Sequence, residues 1–174
     1  MGKAGILLFF ICTIVFNEKG SGQSMFELAV SKSNISESAA VENVNGYAAQ
    51  LTIAMTTKGI PFYGGMSLQY LYYQDKLFKS NKYTHLLPGL KAGVRPLAKW
   101  MIIPVQPFIE GYGYVSVVKE NPAVKNLYGF GGGLEIYFSK RHCIALYYGA
   151  ENYTYSSGDK LTSNTARISI RLNN

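Results

Sequence analysis

The sequence predicts an all-β chain: eight antiparallel strands running up and down, closed into a transmembrane β-barrel with its apolar face outward. Three observations carry this. The stretch 165–172 alternates Ala166, Ile168, Ile170 and Leu172 with Thr165, Arg167, Ser169 and Arg171, which gives one aliphatic and one cationic face. Seven further segments alternate in the same way, and no long window after residue 22 shows a helical period. Finally, the strand carboxylates Glu27, Glu110, Glu135 and Glu151 all fall on the face that carries Lys91, Arg95, Arg167 and Arg171. A Lys or Arg facing the bilayer midplane costs about 2–4 kcal/mol, and buried guanidinium groups need carboxylate partners, so lipid outside and ion pairs inside explain both faces.

The first element is not a strand. Met1, Gly2 and Lys3 precede an apolar run over 6–16, then Asn17, Glu18, Lys19 and the small residues Gly20, Ser21 and Gly22. This is the layout of a secretory signal peptide, 1–22, with cleavage expected after Gly22. The run is too short to span a bilayer, which takes about 20 apolar residues. Cys12 leaves with the peptide, so Cys143 remains alone and no intramolecular disulfide can form. What remains, 23–174, is one domain by length. The net charge of +7 falls by one when Lys3, Lys19 and Glu18 are lost. That balance suits anionic lipid head groups, and a secreted destination argues against nucleic acid.

The strands follow in order. Over 25–32, Phe26, Leu28 and Val30 face outward and Glu27, Ala29 and Ser31 inward. A polar run, 33–45, reads as a loop. Over 46–57, Tyr47, Ala49, Leu51, Ile53 and Met55 alternate with Ala48, Gln50, Thr52, Ala54 and Thr56; the short connection 58–61 then returns the chain as a hairpin. Over 62–72, Phe62, Gly64, Met66, Leu68, Tyr70 and Tyr72 face out. Ten residues at about 3.3 Å each and a tilt near 40° span roughly 25 Å, the height of an outer-membrane apolar band. Both ends of that band carry an aromatic ring.

After a lysine-rich loop, 75–82, the segment 83–95 alternates Leu86, Pro88, Leu90, Ala92 and Val94 with His85, Leu87, Gly89, Lys91, Gly93 and Arg95. Pro88 lacks a ladder donor and predicts a local break. A connection at 95–100 leads to a strand over 101–117, with Gln106, Phe108, Glu110, Tyr112 and Tyr114 inward. The loop 119–126 precedes 127–138, where Gly129, Gly131 and Gly133 share the inward face with Glu135 and Tyr137. That glycine row leaves room for the bulky inward residues of the preceding strand. A turn at 139–142, a strand over 143–155 and a loop at 156–163 return the chain to residue 165. Four longer polar loops therefore alternate with three short turns, which places both termini at the periplasmic end.

The glycine-rich strand G-F-G-G-G-L-E-I-Y-F (129–138), the preceding P-F-I-E-G-Y-G-Y-V (107–115) and the inward Arg and Glu pattern resemble the small bacterial outer-membrane β-barrel family, of the type of the eight-stranded outer-membrane protein A transmembrane domain. The resemblance covers 25–172. It implies a barrel spanning the outer membrane of diderm bacteria among outer-membrane lipids and lipopolysaccharide, often closed by internal salt bridges. Anchoring, adhesion or barrier roles follow from it. Such barrels commonly end in an aromatic residue, and this chain departs from them with Leu172-Asn173-Asn174.

Two other function classes are weighed against this. A lipid-modifying enzyme needs a nucleophile, a base and an orienting group, for which the sequence offers inward His85 with Ser67 and Gln69. No base-nucleophile spacing accompanies the histidine, so neither catalytic residues, cofactor nor metal are expected. The four glutamates have basic partners and read as structural. His142 sits in a turn, Cys143 reads as buried packing, and 129–133 lacks the helix that a phosphate-cradling glycine run requires. A soluble lipocalin-like barrel would turn the aliphatic face inward around a ligand. Tyr47, Phe62, Tyr70, Tyr72, Tyr128, Phe138 and Tyr148 lie on that aliphatic face, several near strand ends, as a membrane belt requires. The sequence thus predicts a monomer with a plugged interior, function in its outer loops, and pairs Arg171–Glu27, Arg167–Glu151 and Lys91–Glu110.

Overall fold

The computed structural model describes residues 22–36, 45–57, 61–74, 82–96, 104–117, 124–139, 141–156, 158 and 160–173. Eight strands, β1 (Gly22–Ser36), β2 (Asn45–Thr57), β3 (Phe62–Gln74), β4 (Lys82–Val94), β5 (Val105–Val115), β6 (Val124–Tyr137), β7 (His142–Tyr155) and β8 (Lys160–Asn173), close into one barrel in chain order. Every neighbouring pair is antiparallel, and β8 closes on β1 with Glu27 opposite Arg171. Closure leaves no strand edge, so each backbone group within the ladder can bond without water.

The alternation places the faces as expected. Large apolar side chains such as Phe26, Val30, Ile53, Met66, Ile109, Phe130 and Ile170 are exposed on the outside. Tyr47, Tyr70 and Tyr128 stand on the outer face toward one end of the barrel, while Phe62 and Phe138 stand near the end that holds Gly22 and Asn173.

Three differences from the sequence reading have physical causes. Both β1 and β8 run further than their apolar patterns suggest, pairing out to Ser36 and Thr162. Composition marks 33–36 and 160–163 as loop, yet Ser33 and Ser163 are buried inside the barrel, where hydroxyls serve as interior partners. The connections also depart from the expected contrast of long and short: 156–159 joins β7 to β8, shorter than the expected loop 156–163, while the start of the expected strand 101–117 lies outside the described residues. Gly158, with φ of 95°, supplies the left-handed residue of that tight turn. Lastly, Pro88 does not interrupt β4, which pairs with β3 straight through it at Leu68. The break is one-sided: among the described residues the β4–β5 ladder stops at Gly89 and Tyr114, one residue from the proline.

Aromatic side chains fill the interior against glycines on the next strand. A Cβ added at Gly93 would overlap the Tyr63 ring, and one added at Gly129 would overlap Tyr112. This is the role expected of the glycine row. The end of the interior away from the termini is apolar and aromatic, with Leu71, Tyr73, Leu87, Leu127, Tyr155 and Leu161 buried together.

Candidate functional site

All eight inward charges, Glu27, Lys91, Arg95, Glu110, Glu135, Glu151, Arg167 and Arg171, are buried, and no other charged residue is buried among the described residues. Four cations and four carboxylates balance formally. Seven of the eight form one network in the half of the barrel nearer the termini.

Arg171, brought in by β8, is its centre. Its Nη1 donates to Glu135 at 2.5 Å, its Nη2 to Glu110 at 2.6 Å and its Nε to Glu27 at 3.2 Å. The guanidinium plane, with donors on three sides, suits three carboxylates from three strands in a way that a single ammonium could not. Lys91 Nζ donates to both oxygens of Glu27 at 2.8 Å and lies 3.2 Å from Glu110. Arg95 donates through Nε to Glu135 at 3.0 Å. Arg167 is ion-paired with Glu110, donates to Gln50 Oε1 at 3.2 Å and has its Cζ 4.2 Å from the Tyr147 ring centroid. Aromatic faces thus cover guanidinium surface that carboxylates do not: Arg171 lies 4.3 Å from the Phe108 centroid and Arg95 4.8 Å from that of Tyr63.

The structure pairs Arg171 with Glu27 and Lys91 with Glu110, but it does not pair Arg167 with Glu151. Register puts Arg167 opposite Tyr147 and Glu151 opposite Ser163, four residues further along β7 and β8, so Arg167 reaches across to Glu110 on β5 with its guanidinium against the Tyr147 and Tyr112 rings. Glu151 instead accepts four hydroxyl hydrogen bonds, from Tyr153 and Thr165 at 2.5 Å, Tyr112 at 2.7 Å and Ser33 at 2.9 Å. Four O–H donors satisfy a buried carboxylate without a cation beside it. Sequence reasoning missed this cradle because Ser33 lay in an expected loop. The inward positions of Tyr112 and Tyr153 were the available signal.

This difference predicts unequal costs. Glu151→Gln removes acceptor capacity from hydroxyls that can turn to other partners, and should cost about 1–2 kcal/mol. Glu110→Gln takes the charge away from Lys91, Arg167 and Arg171 together and should cost about 3–5 kcal/mol. Urea unfolding midpoints in detergent give the order directly; equal losses would place a cation at Glu151.

The residues considered for catalysis are not assembled. Ser67 Oγ is engaged with Gln50 at 2.8 Å, and with Thr52 and Tyr114 at 2.9 Å each. His85 lies opposite Leu71 rather than Ser67, with its ring stacked on Tyr73 at 5.6 Å. Gln69 is buried one inward position along β3 from Ser67. His142 Nδ1 lies 2.9 Å from Ser139 Oγ, but that oxygen also accepts the backbone N–H of Arg141 and of His142, so the pair closes the β6–β7 turn. Cys143 is fully buried opposite Arg171. No group of three or more His, Cys, Asp or Glu is placed to hold a metal ion among the described residues.

The barrel superposes on Neisserial surface protein A with a TM-score of 0.59 at 11% identity, over 87% of this chain and 96% of that one. It also matches the outer membrane enzyme PagL with a TM-score of 0.54 at 12% identity, over 82% and 97% of the two chains. The fold is that of an outer-membrane β-barrel. At these identities the likeness speaks of fold alone, and the two neighbours differ in that one is described as an enzyme and the other as a surface protein. No protein-family model and no curated protein matches the chain.

Proposed function

We propose that the chain is a monomeric, non-catalytic barrel of the bacterial outer membrane that acts through its outer loops in a structural, adhesive or binding role. The observation that carries this is the segregation of its faces. All four carboxylates among the described residues are buried inside, while Phe130 is 67%, Tyr148 63% and Phe62 62% exposed on the outside. Water would make such a surface a large aggregation liability; lipid makes it the stable one. The same fact opposes the lipocalin-like alternative, in which the aliphatic residues would line the interior.

On this reading the ion-pair network and the aromatic layer plug the barrel, residues 1–22 direct secretion and are removed, and both termini face the periplasm. Outer-membrane lipids and lipopolysaccharide surround the barrel, and no nucleic acid is bound. The loops expected at 33–45, 75–82, 119–126 and 156–163 differ from one another in sequence; apart from their strand-forming ends, they lie mostly outside the described residues. Loops on a rigid barrel can vary freely, which makes them the place for recognition.

Cell fractionation and gel mobility test this together. The protein is expected in the outer-membrane fraction, with unboiled samples folded in detergent migrating differently from boiled ones and resisting protease. Recovery in the soluble periplasm, or identical mobility with no protease resistance, would overturn the membrane reading. Binding to host or bacterial surfaces that survives deletion of every loop in turn would overturn the loop reading.

A further inference from the structure

The outer face carries an apolar groove of about 550 Å³ that crosses β8, β1, β2, β3 and β4. Its floor is open because β2 presents Ala49 where its neighbours present Val30 and Tyr70. Leu28, Ile168 and Leu86 complete the walls. One outward position beyond Val30, about 7 Å along the strand, β1 presents the exposed Lys32, opposite Tyr47 on β2 and Ala166 on β8. The ion pairs among the described residues all lie inside the barrel, and none includes Lys32. No described carboxylate faces outward to approach it.

We propose that this groove holds an acyl chain of a phosphate-bearing anionic lipid whose head group is bound by Lys32. The proposal rests on the membrane reading and adds a defined site and ligand class to it. The groove volume lies within the roughly 300–1,000 Å³ of small-molecule sites, and its lining is apolar, with the cation of Lys32 beside it, one outward position beyond Val30 on β1. That is the charge layout of one lipid, apolar chain and anionic head. Tyr47 beside Lys32 marks the level at which an aromatic belt meets head groups, where a lysine stem can lie along the barrel and its ammonium reach a phosphate. A second copy of the chain fits less well, because a two-fold contact through this face would bring Lys32 of each copy to the same interface, where no carboxylate among the described residues faces outward to meet it. In a bilayer all chains are equally apolar, so the selection comes from close packing against Ala49 and from the charge at the mouth.

Native mass spectrometry of the full chain, released from mixed micelles of dimyristoyl phosphatidylglycerol and dimyristoyl phosphatidylcholine, tests this. Wild type is expected to retain one phosphatidylglycerol about fivefold better than phosphatidylcholine, the share one lysine supplies at an anionic surface. Lys32→Gln should abolish that preference while keeping retention of either lipid, and Ala49→Trp, which fills the groove, should lower retention of both by about tenfold. Heat-dependent gel mobility of the same samples checks that each variant is folded; if Ala49→Trp does not fold, Ala49→Leu replaces it. A folded wild type with no preference, a preference unchanged by Lys32→Gln, or a lipid-free dimer that Ala49→Trp disrupts overturns the lipid site and leaves the membrane reading standing. A wild type that shows no heat-dependent mobility in lipid overturns the membrane reading itself, and the site with it.

Discussion

Arg171→Ala should destabilise the folded barrel by about 3–5 kcal/mol, the typical cost of removing one partner from a buried ion-pair network. The side chain is fully buried and touches three carboxylates, so its loss leaves four interior carboxylates against three cations. The partners differ in what they have left. Glu27 keeps two bonds from Lys91 at 2.8 Å, and Glu110 keeps Lys91, Arg167 and the Tyr63 hydroxyl. Glu135 keeps only Arg95 and the Tyr137 hydroxyl among the described residues. The coupling energy should therefore be larger for Arg171 with Glu135 than for Arg171 with Glu27, and a double mutant with Glu135→Gln should cost less than the sum of its single losses by about 1–3 kcal/mol. Arg171→Lys should recover only part of the stability, because one ammonium cannot serve three oxygens on three strands. Urea unfolding in detergent measures all of these. Strict additivity with Glu135 would mean that the 2.5 Å bond does not exist in the folded protein.

The faces of the strands were legible in the sequence because lipid is an unforgiving solvent. An outward carboxylate would have to be paid for in every fold of the chain, so the alternation of Ile168 and Ile170 with Arg167 and Arg171 could be trusted. Strand ends were less legible, since outside the apolar band nothing forces alternation to be apolar: Ser33 and Ser163 are strand residues that look like loop. Pair identity was least legible. Register placed Glu27 opposite Arg171, as nearest-strand reasoning suggested, but a narrow barrel lets long side chains cross its interior. Arg171 reaches Glu110 on β5, and Lys91 on β4 reaches Glu27 on β1, contacts that no neighbour rule contains. Glu151 shows the same limit from the other side. Arg167 stands on the neighbouring strand, yet register puts it opposite Tyr147 and puts Glu151 opposite Ser163, four residues or about 13 Å along the ladder, and alternation alone does not fix that stagger.

Valine should have opposite effects at two glycines of the same sheet. A β-branched residue in a strand is ordinarily favoured over glycine by up to about 1 kcal/mol. At Gly113, on the outer face, an added Cβ meets nothing within 4 Å, so Gly113→Val should be neutral or stabilising by that amount. At Gly133, a Cβ would overlap the carbonyl oxygen of Leu146 on β7 and press on the Phe108 ring on β5. Overpacking a core costs about 1–3 kcal/mol when side chains can shift. Here the first obstacle is a backbone atom of the β6–β7 ladder, held by pairing on both sides of the contact, and the second is a ring that lies against Arg171. Relief at either place disturbs the ladder or the ion-pair centre. Gly133→Val should therefore cost at least about 3 kcal/mol and leave a smaller fraction of the protein in the fast-migrating, heat-sensitive form than Gly113→Val does. If both variants fold with the wild-type urea midpoint, the interior is looser than the packing of Phe108 and Tyr147 against the glycine row implies, and the barrel would have space for water where the structure has side chains.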